Sequence, residues 1–486
     1  MKNFFPWLNN FMSPAPGANS PSDPLNVPLL RFGARDIWTM RDACEGTAVF
    51  GSSGSGKTSG SGQAIAKALL RAGCGGLVMC AKPGEADLWR EYCQATNRQN
   101  SLMIFSPSEP WRFNFLQYEL SRPGSGAGLT ENLVRLFSST LEVAERGRGG
   151  STNQDFWDRT TKQLLRNCFE LVIIARGRLM LQEIYDIIVS APATPETVND
   201  PAWQQSSVCW ECIQEGEARN KTARQNNDFT LAVKYWLREF PALSSNTRSI
   251  ITTNLTSMLD IFLRGALQEL FCTTTNIVPE VTHEGAIIVL DLPVKEYNEV
   301  GTLSQMLWKF VWQRASERRD VSQHGRVTFL WADEAQFFVE PRDAGFQSTA
   351  RSSRIATVYL SQNIGAYYSQ IGQSETHSVM GNLQTKIFHA NGDTLTNNWS
   401  SDLFSKSWQM RGSTGASTTD GANRQTTSRN YGASDSLDSE VLPGEFTRLR
   451  KGGHDHGYCV EAIAFQGGRI WHETNKNHIK VGFSQR

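Results

Sequence analysis

Gly51-Ser52-Ser53-Gly54-Ser55-Gly56-Lys57-Thr58 fits the pattern G-x-x-x-x-G-K-[S/T] at every position. An apolar strand precedes it at residues 48–50. A helical run follows at 61–72, where Ile65 and Leu69 share a face. Chance matches to such a pattern number on the order of 0.02 in a chain of ordinary composition. Gly and Ser are abundant here, so the Lys-Thr pair and the flanking strand and helix carry most of the weight. Glycines let the backbone curl so that successive N–H groups point at phosphate oxygens, and the helix adds its positive end. Gly51, Ser52, Ser53, Gly54, Ser55, Gly56, Lys57, Thr58 and Ser59 are therefore the expected nucleotide cradle. Lys57 is placed on the β- and γ-phosphates and Thr58 on Mg²⁺, so ATP and Mg²⁺ are the expected ligands.

Such a loop needs a second strand that ends in carboxylates, and 327–332 followed by Asp333-Glu334 supplies one. Alone, Asp-Glu after an apolar strand reads as a solvated strand end. Beside a phosphate loop, Asp333 becomes the metal-side acid and Glu334 the base for the attacking water. Gln362 closes the next apolar strand, 356–360, and is expected to sense the γ-phosphate or the lytic water. Arg351 and Arg354 lie between those strands, and a guanidinium there can serve a neighbouring subunit as an arginine finger, with Arg351 favoured. That role requires an oligomer.

Around the phosphate loop, strands at 48–50, 77–80 and 103–105 interleave with helix, as in βαβ units. Residues 129–267 then carry helical period with few strand signals. Strands resume at 286–290, 327–331, 356–360 and 385–389. The expected divisions are an extended lead-in at 1–28, a first part of the nucleotide-binding domain at 29–128, an all-α domain at 129–267 and a second part at 268–486. Residues 412–436, almost devoid of large apolar side chains, are expected to form a flexible Ser/Thr/Gly loop. Residues 458–465 and 469–471 are expected to pair as a terminal hairpin on the edge of the core.

The 486 residues contain 48 basic and 48 acidic side chains, which leaves no global excess of charge for a polyanion, so any nucleic-acid contact is local. Arg146 with Arg148, Arg314 with Arg318 and Arg319, and Arg448 with Arg450 and Lys451 are the modest basic clusters. Without interleaved aromatics they point to backbone-led, sequence-tolerant DNA contact. Nine scattered cysteines fit a reducing cytoplasm. Cys209 and Cys212 lack two further ligands at metal spacing, so no structural metal is expected. No apolar run reaches the roughly 18 residues needed to span a bilayer. The aromatic N-terminus, with Phe4, Phe5, Trp7 and Phe11, reads instead as a docking segment.

These residues together resemble the type IV coupling proteins, the TraG/TraD-like ATPases of the HerA/FtsK group. Lys82-Pro83-Gly84-Glu85 resembles the family's segment after the second strand. Phe113-Asn114-Phe115-Leu116 resembles its Asn-Pro-Leu segment, with Phe115 where proline is usual. Asp155-Phe156-Trp157 resembles the opening of its all-α domain, and the run from Gly381 to Phe388, with Asn391-Gly392-Asp393, resembles its C-terminal motor segment.

The resemblance implies an α/β, RecA-like P-loop NTPase with a mainly parallel sheet and an inserted all-α domain. It further implies a homo-hexamer that drives relaxase-bound DNA towards a type IV secretion channel at the expense of ATP. Many members carry N-terminal transmembrane helices. Here a partner would supply attachment at the cytoplasmic face of the inner membrane. Two other readings stay open: a soluble HerA/FtsK-like DNA translocase of genome processing or phage defence, and a nucleotide-dependent adaptor that recruits protein substrates.

Overall fold

A computed structural model describes residues 23–145, 154–421 and 424–486. Its thirteen strands are β1 (Pro28–Arg31), β2 (Ile37–Thr39), β3 (Thr47–Phe50), β4 (Gly75–Met79), β5 (Leu102–Phe105), β6 (Ile287–Leu290), β7 (Thr328–Ala332), β8 (Ile355–Ser361), β9 (Thr385–Phe388), β10 (Lys406–Gly421), β11 (Arg424–Ser439), β12 (Cys459–Gln466) and β13 (His478–Ser484). The chain forms two compact units, one of residues 74–328 and the other of residues 23–73 with 329–486. This division cuts across the expected boundaries. The helical stretch forms one unit with β4, β5 and β6, whereas the phosphate loop and the carboxylate strand share the other.

In the unit of residues 74–328, β6 lies between β4 and β5 and runs parallel to both. All four β6 residues are buried apolar side chains, as a strand covered on both faces requires. The helix Val294–Glu317, broken at Asn298, packs Trp308 against Phe113 with ring centroids 4.2 Å apart and against Phe105 at 5.2 Å. Its buried Gln305 accepts from Cys80 N–H at 2.7 Å and donates to the Cys80 and Leu292 carbonyls at 2.8 Å. One amide thus satisfies backbone groups beyond the ladder that would otherwise be stranded in the interior. From Thr130 to Phe271 the described residues hold helices and turns but no strand. Asp155, Phe156 and Trp157 open the helix Gln154–Arg176.

In the other unit the strand order is β13-β12-β9-β3-β8-β7. Strand β3 runs parallel to β8 and β9, and β12 runs antiparallel to β9 and β13. Every residue of β3 and β8 is buried. The C-terminal hairpin does close on β9, but its second strand is His478–Ser484 rather than 469–471. Arg469 is drawn off to Asp42 Oδ2 at 3.2 Å and the Ile37 carbonyl at 2.8 Å, and it stacks on Trp471. Trp471 is buried beside Phe32. Both residues are spent on tertiary contacts with the N-terminal segment, and the connection lengthens accordingly.

The expected flexible loop at 412–436 is instead an extended ribbon. Strands β10 and β11 pair antiparallel from Lys406↔Ser439 to Gly421↔Arg424 without a register shift. Low apolar content hid this element, because an exposed two-stranded ribbon satisfies its backbone by cross-strand pairing without burying a face. Among the described residues, no helix is long and apolar enough to cross a membrane.

Candidate nucleotide-binding site

Strand β3 ends at Phe50, and the chain turns at Gly51, whose N–H donates to the Ser361 carbonyl at the end of β8. Gly51 cannot be replaced without movement: an added Cβ would collide with Ser55 Oγ and lie 2.8 Å from His389 Cβ. Gly54 and Gly56 take φ of +71° and +82°, the left-handed region open to glycine at little cost. At Gly56 a Cβ would also lie 2.6 and 2.8 Å from the two methyls of Val460. Residues Thr58–Gly62 make a π-helical turn that leads into the helix Gln63–Arg71. The helix thus begins within the motif itself.

Strand β7 brings the carboxylates to this loop. Thr58 Oγ1 donates to Asp333 Oδ2 at 2.7 Å, and Lys57 Nζ stands 3.7 Å from Glu334 Oε1. Lys57, Asp333 and Glu334 are nearly inaccessible, at 5, 5 and 1% exposure, so these charges interact in a low dielectric. Glu334 has φ +54° and ψ +49°, a conformation costing about 1–2 kcal/mol in a non-glycine residue. The strain is held by side-chain contacts: Gln362 Nε2 donates to Glu334 Oε1 at 3.1 Å, and Gln336 Nε2 donates to Oε2 at 2.9 Å. Ser361 Oγ in turn donates to Gln336 Oε1 at 2.8 Å.

A third strand braces the loop from the other side. Ser52 N–H donates to the Ala390 carbonyl at 3.0 Å, and Ser52 Oγ donates to Asn391 Oδ1 at 3.1 Å. Asn391 Nδ2 donates to the Gln362 carbonyl at 3.0 Å. Beneath the loop, His389 Nδ1 lies 3.1 Å from the Glu461 carbonyl, which can only accept, so Nδ1 carries the proton. Nε2 then accepts from Ser61 Oγ at 2.7 Å. Burial pushes the His389 imidazole down to about 4. The Glu461 carbonyl bond opposes that shift and nearby Lys57 adds to it, so the ring is neutral at physiological pH.

The fold thus brings Thr58 to Asp333, Lys57 to Glu334 and Gln362 to Glu334 at the loop. Gln336, Ser61, His389 and Asn391 went unassigned as site residues, although Asn391 lies in the family-like segment and His389 closes an apolar strand. Single polar residues at strand ends carry no signature in the absence of the neighbouring strands. Ser59 accepts from Gln485 Nε2 at 2.7 Å.

Arg351 lies elsewhere. Its Nη1 pairs with Glu45 Oε1 at 3.0 Å, and its side chain is half exposed. Glu45 precedes β3, and both Arg351 and Arg354 precede β8, whereas the phosphate loop and Gln362 follow those parallel strands. Seven-residue β8 spans roughly 23 Å. Within one chain, Arg351 therefore stands at the opposite end of these strands from the loop.

The donor set fits a magnesium nucleotide. The ammonium of Lys57 and the curled Gly54–Gly56 backbone suit phosphate oxygens, Thr58 and Asp333 offer a hydroxyl and a carboxylate to a hard cation, and Ser55 Oγ is buried in the cradle without a hydrogen-bond partner. Cys209 and Cys212 are buried on the helix Val208–Ala218, and burial pushes the Cys212 thiol up to about 12. Among the described residues, no cluster of three His, Cys, Asp or Glu side chains is arranged to hold a metal. Of the basic clusters, Arg450 pairs with Glu461 at 2.8 Å, Arg314 with Glu317 at 3.6 Å, and buried Arg319 donates to the Arg326 carbonyl. Arg146 and Arg148, like the N-terminal aromatics, lie outside the described residues.

Residues 326–445 match the family model described as the TraM recognition site of TraD and TraG. No curated protein matches the chain by sequence. Among solved structures, the bacterial conjugative coupling protein TrwBdeltaN70 superposes with a TM-score of 0.57 at 13% identity, over 96% of this chain and 90% of that one. TrwB in complex with the non-hydrolysable ATP analogue ADPNP gives 0.57 at 15% identity, over 94% and 92% of the two chains. TrwB with ADP and Mg²⁺ gives 0.54 at 12%, over 93% and 87%. The match is one of fold along nearly the whole chain.

Proposed function

We propose that this chain, whose residues 326–445 match the TraG/TraD family model and which carries the fold of TrwB, is a coupling-protein ATPase motor driving DNA transfer. The observation that carries the reading is the meeting of Thr58 with Asp333 and of Lys57 with Glu334, two pairs joined across 275 and 277 residues of sequence. Lys57 and the loop N–H groups would hold the phosphates, while Thr58 and Asp333 would hold Mg²⁺. The bound magnesium nucleotide supplies the phosphoanhydride bond to be cleaved and the cation that offsets its charge. Glu334 would take a proton from water, and Gln362 and Gln336 hold its carboxylate in place for that task.

The working assembly is a homo-hexamer in which Arg351 of one subunit stabilises charge at the next subunit's site. Its distance from the loop of its own chain supports action in trans. The substrate is relaxase-bound DNA, held through its backbone and delivered to a type IV secretion channel. TrwB, which shares the fold, is a conjugative coupling protein, and the 326–445 match is to a segment named for recognition of a conjugation partner, TraM.

The test is ATP hydrolysis by purified protein with and without single- and double-stranded DNA, beside Lys57→Ala and Glu334→Gln. DNA-stimulated hydrolysis lost in both variants is the expected result. Hydrolysis by an oligomer indifferent to DNA would replace the motor with a protein-recruiting adaptor. No hydrolysis at all would overturn the site roles.

A further inference from the structure

The C-terminal hairpin reaches the phosphate loop at a place the hydrolysis roles leave unused. Val460, near the start of β12, stands against Gly56 and Gly60, and the carbonyl of its bridge partner Lys451 lies 3.1 Å from where a Gly56 Cβ would be. Gln485, just beyond β13, donates from Nε2 to Ser59 Oγ at 2.7 Å and accepts from Gly453 N–H at Oε1, also at 2.7 Å. Its own N–H donates to the Tyr458 carbonyl at 2.9 Å, and the Arg486 guanidinium lies over the Tyr458 ring, 4.2 Å from the centroid. Residues 451–460 and 485–486 thus form one connected group beside Ser59, the residue that follows the Lys57-Thr58 pair.

The direction of a phosphate chain in the loop follows from the strands around it. Glu334 follows β7 and Gln362 follows β8, both on one flank of β3, so the γ-phosphate end belongs there. Strands β9, β12 and β13 lie on the other flank. The N–H groups of the loop and of the first helical turn suit the α- and β-phosphates, so a nucleoside leaves the loop past Ser59, towards Gln485 and Tyr458. Tyr458 has φ +58°, a left-handed backbone in a non-glycine residue, and its N–H donates to the Gly453 carbonyl at 2.8 Å to keep the turn closed. Such strain persists where the surrounding contacts hold it and clusters at ligand sites. The ring itself is half-buried.

From this placement we infer that Tyr458, Gln485 and Arg486 form the nucleoside end of the nucleotide site, with the Tyr458 ring stacking on a purine base. An aromatic ring binds a base through its π-face, and the Arg486 guanidinium, already over the ring, adds a cation to the stack. Gln485 is tied at both ends of its carboxamide, so it is a positioning residue that fixes the Tyr458 turn against the loop. Lys451 and Arg486 add positive charge where the phosphate chain leaves. The competing account makes the group a brace for the loop alone, which predicts equal damage to every phosphate ligand. The inference rests on the nucleotide-binding reading above and extends it from the phosphates to the base.

The test is isothermal titration calorimetry on the full chain with Mg²⁺ and either a non-hydrolysable ATP analogue or inorganic tripolyphosphate, which lacks the nucleoside. Wild type is expected to bind the analogue at least about tenfold more tightly than tripolyphosphate. Tyr458→Ala is expected to lose about tenfold in affinity for the analogue, the range for one stacking aromatic, and to bind tripolyphosphate within about twofold of wild type. Tyr458→Phe is expected to bind both as wild type does. Tyr458→Gly suits the positive φ, so it is expected to match wild type in thermal stability and yet lose the analogue as Tyr458→Ala does. Parallel losses for both ligands, or folded Ala and Gly variants that bind the analogue as wild type does, would overturn the inference. A wild type that binds neither ligand would overturn the assignment of the phosphate loop and this inference with it. Binding without hydrolysis would count against the ATPase reading alone.

Discussion

Thr58 Oγ1 donates to Asp333 Oδ2 at 2.7 Å, so the phosphate loop and the carboxylate strand are already joined through the two side chains that would share Mg²⁺. The adjacent Lys57–Glu334 pair is buried, with side chains 7 and 2% exposed. Removing one member leaves a charge without its counter-ion, at a cost on the order of 3 kcal/mol. Lys57→Ala is expected to abolish hydrolysis and lower the denaturation midpoint. Lys57→Ala/Glu334→Gln is expected to recover much of that stability but none of the activity, as chemical denaturation and a hydrolysis assay would check.

Gln362 acts on Glu334, and its removal should separate binding from chemistry. Gln362→Leu is expected to leave the affinity for a fluorescent ATP analogue within about threefold while hydrolysis falls by about tenfold or more, the range for loss of a positioning contact. A matched loss of binding would make Gln362 a ligand contact instead.

His389 sets an acid limit on the loop. Its folded-state value is held at about 4, below the ordinary 6.5, so between these values the unfolded chain binds the additional proton. The contribution is fully present above pH 6.5 and is lost as pH falls through about 4, up to about 3 kcal/mol. Buried His283, pushed down to about 3, adds in the same direction. Glu461, held at about 2 by Arg450 and Lys480 despite its burial, loses its contribution only below pH 4.5. Denaturation midpoints measured from pH 7 to 4 are expected to fall more gently for His389→Gln than for wild type.

Gly54 and Gly56 separate backbone strain from crowding. Gly54→Ala meets nothing within 4 Å and pays for its φ alone, about 1 kcal/mol. Gly56→Ala adds a collision with Val460 and is expected to disrupt nucleotide binding as well. Binding of the fluorescent analogue to the two variants distinguishes the costs.

Arg351 pairs with Glu45 at a half-exposed site, so Arg351→Ala is expected to change stability by less than about 1 kcal/mol. Hydrolysis is expected to fall at least tenfold. Mixing Arg351→Ala chains with Lys57→Ala chains should restore part of it, since some interfaces then hold an intact loop opposite an intact arginine. Absence of recovery in a mixed oligomer would exclude action in trans.

The sequence by itself determined the phosphate loop, its flanking strand and helix, the Asp333-Glu334 strand end and the αβ alternation, because each is written in local spacing: glycines where φ must be positive, apolar runs at strand length, a Lys-Thr pair at a helix start. The strand order β13-β12-β9-β3-β8-β7 and the antiparallel return of β12 were decided in three dimensions, and with them His389, Asn391, Ser61 and Gln336 as parts of the site. These residues acquire their roles from neighbours on other strands, and local periodicity does not encode which strands become neighbours. The ribbon at 406–439 lay beyond composition for a related reason. Pairing, rather than burial, organises it, and cross-strand register is a property of two segments together.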